Sequence, residues 1–170
     1  MAIKGIIFDY QTPTAKGIRG GFHSALTDGI LDGCAITYSE TNLTIGSGLL
    51  NIAGGIVALT SSEVISVTGS SGYARIKAVI DLSGASNESA FTQVSFIVDN
   101  AATANGFPAL IQNGINIGNG SVYEAEICVV SLGTNGITGL IRTAIASAKV
   151  QYGDTLPTDA PEGTIFLLKV

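Results

Sequence analysis

Residues 73–82 alternate strictly. Tyr73, Arg75, Lys77, Val79 and Asp81 share one parity, and Ala74, Ile76, Ala78, Ile80 and Leu82 share the other. A period of two places each set on one side of an extended strand, so this segment is expected to have one buried face and one wetter face. The same idiom recurs along most of the chain as short β-branched runs separated by Gly, Asn, Asp and Ser.

Strands are expected at residues 3–10, 34–38, 43–45, 49–52, 56–59, 63–68, 73–82, 91–99, 123–132, 137–145 and 164–170. Helical propensity competes at 137–145, where strand is favoured, and residues 108–112 suit either a helical turn or a strand. Gly46-Ser47-Gly48 and Gly54-Gly55 read as kinks, and Asn113-Gly114 and Asn119-Gly120 as turns. Residues 15–31 are rich in glycine and read as loop, with a short helical option at 23–27. So many short strands imply an all-β fold, a β-sandwich or a small jelly-roll-like barrel. The less regular residues 1–32 read as an N-terminal arm for docking, and 33–170 as the β-sandwich domain.

Charged residues are only 12% of the chain, about half the ordinary share, and the mean hydropathy is +0.45. Two causes are open: a large core of small residues, with 22 glycines contributing, or a surface that packs against partners. A helical membrane span needs about 20 consecutive apolar residues. The longest apolar stretches, 125–132 and 137–148, are interrupted by Glu126, Ser131, Gly139 and Arg142 among others. No signal peptide is evident, because the apolar residues after Lys4 stop at Asp9. The expectation is a product made and soluble in a cytoplasm. Net charge is −5, and the eight Lys and Arg are scattered. Binding to nucleic acid or to an anionic membrane needs clustered positive charge, so neither is expected.

Candidate chemistry is sparse. The sole histidine, His23, has Ser24, Asp28 and Asp32 near it in sequence, but no nucleophile-elbow pattern accompanies them. Glu124 and Glu126 share one face of a regular strand. They read as a solvated face or as an interface pair neutralised by Arg75 or Lys77 rather than as a glycosidase pair, which would want an aromatic cleft. The chain has no Trp, and aromatics are 6%. Cys34 and Cys128 read as separate buried thiols. No phosphate loop and no metal-ligand spacing is present, so no cofactor and no metal are expected.

The glycine pattern carries a resemblance. The residues 28–36, Leu43-Thr44-Ile45-Gly46-Ser47-Gly48 and Asn51-Ile52-Ala53-Gly54-Gly55-Ile56-Val57, together with residues 72–82, form one part of it. The closing Tyr152-Gly153-Asp154-Thr155-Leu156-Pro157 and Glu162-Gly163-Thr164-Ile165-Phe166 form the other. Together they resemble structural proteins of bacteriophages of Gram-positive hosts, of the tail, baseplate, fibre or head-fibre kind. The resemblance spans most of residues 29–170 and transfers no catalytic residue.

It implies a non-enzymatic virion protein that self-associates, with a trimer favoured, and docks onto other virion proteins. The expected interface residues are Ile6, Phe8, Ile18 and Phe22 in the arm and Phe166 and Leu168 in the last strand. A carbohydrate-binding or host-adhesion module, contacting a host surface glycan through some of the five tyrosines, is the alternative. A cell-wall hydrolase using His23 or Glu126 is a more remote one.

Overall fold

A computed structural model describes residues 14–87, 90–148, 151–153 and 166–168. One helix, α1 (Ala15–Ala25), precedes a chain of strands. The fold is all-β and sandwich-like. Its centre is a four-stranded antiparallel sheet in the order β10 (Val94–Ala101), β7 (Gly72–Asp81), β11 (Val122–Gly133), β12 (Gly136–Thr143). Two three-stranded antiparallel sheets accompany it. One is β1 (Gly29–Gly33), β4 (Gly48–Ile52), β5 (Gly55–Leu59). The other is β2 (Ile36–Ser39), β3 (Asn42–Ile45), β6 (Glu63–Ser66). Two small pairs complete the described chain: β8 (Ser86–Asn87) with β9 (Ala90–Phe91), antiparallel, and β13 (Gln151–Gly153) with β14 (Phe166–Leu168), parallel.

The core lies between the central sheet and its two companions. Ala74, Ile76, Ala78 and Ile80 of β7 and Ala125, Ile127, Val130 and Leu132 of β11 form one cluster with Leu43, Ile45, Leu50, Ile52 and Val57. Each large aliphatic side chain taken fully out of water contributes about 2 kcal/mol. The alternation seen at 73–82 thus marks a real strand, and its Ala-Ile parity faces the core.

The other parity differs from expectation. The face of β7 expected to be wetter is buried too: Arg75, Lys77 and Val79 are all below one-tenth exposed. The segment between β10 and β11 folds back over it, bonding to Arg75 and Glu124. Strand β11 also departs from simple alternation. Against β7, Glu126 pairs with Lys77 and Cys128 with Ile76, so Ile127 is an extra residue, a β-bulge. The bulge keeps Glu124 and Glu126 on the outer face while Cys128, Val130 and Leu132 turn inward.

Residues 15–31, expected as loop, are instead α1 and β1. Thr14 caps the helix, its Oγ1 accepting from the Gly17 N–H at 3.1 Å. Ala15, Ile18, Phe22 and Ala25 recur at helical spacing, a signal that Gly17, Gly20 and Gly21 obscure because glycine disfavours helix. β1 is an integral sheet strand paired with β4. Cys34, expected inside a strand, instead sits at φ 50° in the link from β1 to β2. Ile6 and Phe8 lie outside the described residues.

The helix is seated through a glycine. Gly54, in the β4–β5 turn, has φ +79°, and a Cβ there would run into the Arg19 carbonyl and the His23 N–H of α1. Gly21 has open space around the same position. Gly54→Ala should therefore cost on the order of 2 kcal/mol, and Gly21→Ala should stabilise by about 0.5–1 kcal/mol through helix propensity. Urea denaturation midpoints of the two variants check this. Equal midpoints would contradict the seating of α1 on Gly54.

Candidate interaction surface

The helix buries none of its residues fully, although its apolar stripe faces the β-structure. Ile18 and Phe22 are each 44% exposed, and beside them Ile56 of β5 and Phe91 of β9 are 46% and 59% exposed. Together with Leu82 and Val94 they line an open groove of about 390 Å³ between α1, the β4–β5 turn and the end of β7. Its lining is predominantly apolar, and among the described residues Arg19 is its only charged member.

A chain of hydrogen bonds fixes one wall of this groove. Arg19 Nε donates to Asn116 Oδ1 at 3.3 Å, and Asn116 Nδ2 donates to the Ala53 carbonyl at 2.7 Å. The Ala53 N–H donates to Asp28 Oδ1 at 2.7 Å, and Tyr123 Oη donates to Asp28 Oδ2 at 2.8 Å. Tyr123 is buried and packs edge-on against the His23 ring, with centroids 5.8 Å apart. Burial first, then the bond to Asp28, pushes the Tyr123 phenol far above its ordinary pKa, so it stays protonated. These contacts tie α1, the β4–β5 turn, the 113–120 turns and β11 into one hydrogen-bonded corner.

A cavity of about 210 Å³ lies at that corner, lined by His23, Asn113, Ile115, Asn116, Ile117 and Tyr123. It assembles no triad. Ser24 Oγ is bonded to the Gly20 and Gly21 carbonyls of its own helix, and Asp28 is committed to Tyr123 and Ala53. Among the described residues, no group of three or more His, Cys, Asp and Glu side chains is placed to hold a metal ion.

The outer face of the central sheet holds the buried charges. Arg75 Nη2 bonds Asp99 Oδ2 at 2.6 Å, and Lys77 Nζ lies 3.2 Å from Asp99 and 2.8 Å from Glu124. The 103–111 segment closes over them. The Pro108 carbonyl accepts from Arg75 at 2.8 Å, the Phe107 ring stacks 5.0 Å from the guanidinium, and the Ile111 N–H donates to Glu124 at 2.9 Å. Arg142 grips Glu126 with two hydrogen bonds, 2.6 and 2.9 Å, and also reaches the Ala104 carbonyl.

Of the neutralisation expected for the two glutamates, Lys77 serves Glu124. Arg75 turns to Asp99, and Glu126 takes Arg142 instead. Each carboxylate is thus locked to its own cation, not poised as an acid–base pair. Burial pushes Glu124 and Asp99 upward, but the hydrogen bonds from Lys77 and Ile111, and from Arg75 and Lys77, outweigh it and hold both below the usual carboxylate range.

Cys34 and Cys128 are free and buried. Burial, then the nearby Glu126, pushes the Cys128 thiol up to about 12. Burial, then Asp32, raises Cys34. Neither is a thiolate nucleophile at neutral pH.

Ile18 and Phe22, read from sequence as interface residues, thus share one exposed groove. Ile56 and Phe91, which complete it, were not expected there, since local pattern made them ordinary strand residues. Phe166 and Leu168 lie in β14, paired in parallel with β13. No protein-family model matches the chain, and no curated protein sequence matches it.

Removing one partner of a buried ion pair leaves a charge without compensation, so Lys77→Met should cost about 3–5 kcal/mol. Lys77→Met with Glu124→Leu should recover part of that loss. The pH dependence follows in sign. Carboxylates with lowered folded-state pKa contribute stability that is complete above their ordinary values near 4, and it is lost as pH falls through the depressed ones. Lys77, raised in the folded state, contributes stability that is complete below its ordinary value and fades in strong alkali. Urea midpoints measured from pH 7 to pH 2 should fall for the wild type, and less steeply for the double variant. Equal slopes would contradict the role given to this network.

Proposed function

We propose that this chain is a non-enzymatic structural subunit of a bacteriophage particle, working by self-association and by docking onto neighbouring virion proteins. The observation that carries the assembly reading is the groove. Four large apolar side chains, Ile18, Phe22, Ile56 and Phe91, stand open together on a hydrogen-bonded corner of a chain with few charges. Contiguous apolar surface on a fixed frame is what an interface requires. The phage assignment rests on the glycine and alternation pattern of residues 29–170, and the three-fold arrangement is the form that pattern favours.

The groups an enzyme would draw on are engaged elsewhere: Asp28 with Tyr123, Ser24 with its helix, Glu126 with Arg142. For a glycan-binding module, Tyr123 is spent inside the corner, Tyr73 is half-buried, and Tyr38 is exposed.

Light scattering of the purified chain over a dilution series tests the reading. An assembly larger than the monomer is expected, and Ile18→Asp with Phe22→Asp should dissociate it without changing the far-ultraviolet circular dichroism. A wild-type chain that stays monomeric at every concentration would sink the self-association proposal.

A further inference from the structure

We infer that the contact between copies is two-fold and is built on β10, an edge strand of the central sheet with no strand beside its outer side among the described residues. This deepens the self-association reading and rests on it. An edge strand presents a row of backbone N–H and C=O groups with no partner on one side, and folded proteins blunt such edges with Lys, Pro, bulges or shortness. β10 carries none of these devices. It runs for eight residues, about 27 Å at strand rise, pairs with β7 without a register shift, and contains neither Lys nor Pro.

The other edges among the described residues are protected. β12 has two register shifts against β11, and beyond it Ala144 and Ala146 are already bonded to Ile30. β2 and β6 have four residues each, and β6 starts with Glu63. β1 carries a register shift and Asp32. β5 has five residues and lies beside α1.

Charge and register together favour a second copy as the occupant. Two copies of a chain with net charge −5 repel, yet the sole charged side chain of β10, Asp99, is neutralised in place by Arg75 and Lys77. An identical copy can therefore approach this edge without facing an uncompensated charge.

Register follows from parity. Antiparallel partners in one continuous sheet keep like faces together, so a two-fold axis perpendicular to the sheet pairs residues of the same parity. Centred on Ile97, it sets that residue, 43% exposed, opposite its twin, Phe96 opposite Val98, and Asp99 opposite Ser95. No like charges then lie opposite each other. A single strand pair is small beside a standard interface of about 1,600 Å². The apolar groove adjoins β10 through Gln93 and Val94 and extends the contact toward Phe22 and Ile56. The result is a central sheet of eight strands shared by two copies. Alone the contact yields dimers; combined with a three-fold contact it yields hexamers.

Light scattering of the full chain and of Ile97→Lys tests it. An even-numbered wild-type assembly whose mass Ile97→Lys halves is expected. A second variant guards against misfolding. With Ile97→Cys, diamide oxidation should give a covalent dimer on a non-reducing denaturing gel, since opposed strand residues fall within disulfide reach and the native thiols are buried. Ile141→Cys on β12 should not cross-link. A trimer with no even-numbered form, an Ile97→Lys mass equal to wild type, or no Ile97→Cys dimer overturns the two-fold edge while leaving self-association standing. A monomer at every concentration overturns both.

Discussion

Four charges with little access to water, Arg75, Lys77, Asp99 and Glu124, hold the central sheet in its observed form. A lysine on a mid-sheet strand can be covered only if its ammonium is paired and hydrogen-bonded. β10 and β11 flank β7 and supply one carboxylate each within reach, Asp99 opposite Arg75 and Glu124 opposite Val79, two residues along from Lys77. Once the charges are matched, the 103–111 segment can lie over them and use its own backbone groups as further partners. The bulge at Ile127 belongs to the same solution. It lets Glu126 stay on the outer face for Arg142 while the following residues keep the core filled.

This arrangement bears on why so apolar a chain has so few charges. With β7 covered on both faces, residues that would otherwise be solvent-facing become interior, and a second buried layer absorbs part of the apolar excess. Another part stays outside, because Ile18, Phe22, Ile56, Phe91 and Ile97 are substantially exposed. Core and surface therefore share the excess, and the two explanations left open by composition are not exclusive.

What could be read from sequence was whatever is local. The alternation at 73–82, the strand at 137–145 and the Gly-punctuated hairpins are short-range patterns, and the structure contains them. The all-β, sandwich-like class follows from their number. What could not be read depends on pairing between distant residues. No local pattern says that Lys77 will meet Glu124 or that the 103–111 segment will cover β7, so half of that strand was expected to be wet. α1 was hidden for a different reason: three glycines masked an Ala15, Ile18, Phe22, Ala25 stripe that is plain once the Thr14 cap is recognised. Ile18 and Phe22 were picked out as surface apolar residues, but the groove they form needs Ile56 and Phe91, which only the fold brings alongside.

The corner that carries α1 is held together by more than burial of the helix. Its apolar stripe is half open, yet Gly54 lets the β4–β5 turn approach the helix backbone closely, and the Arg19, Asn116, Ala53, Asp28 and Tyr123 hydrogen bonds run from it into β11. A helix held only by its apolar face would collapse that face onto the nearest sheet and close the groove. One also held through the Arg19 hydrogen bond can leave the face standing open. On the assembly proposal such preorganisation would favour association, and it accounts for Ile18 and Phe22 standing open on a chain otherwise so well buried.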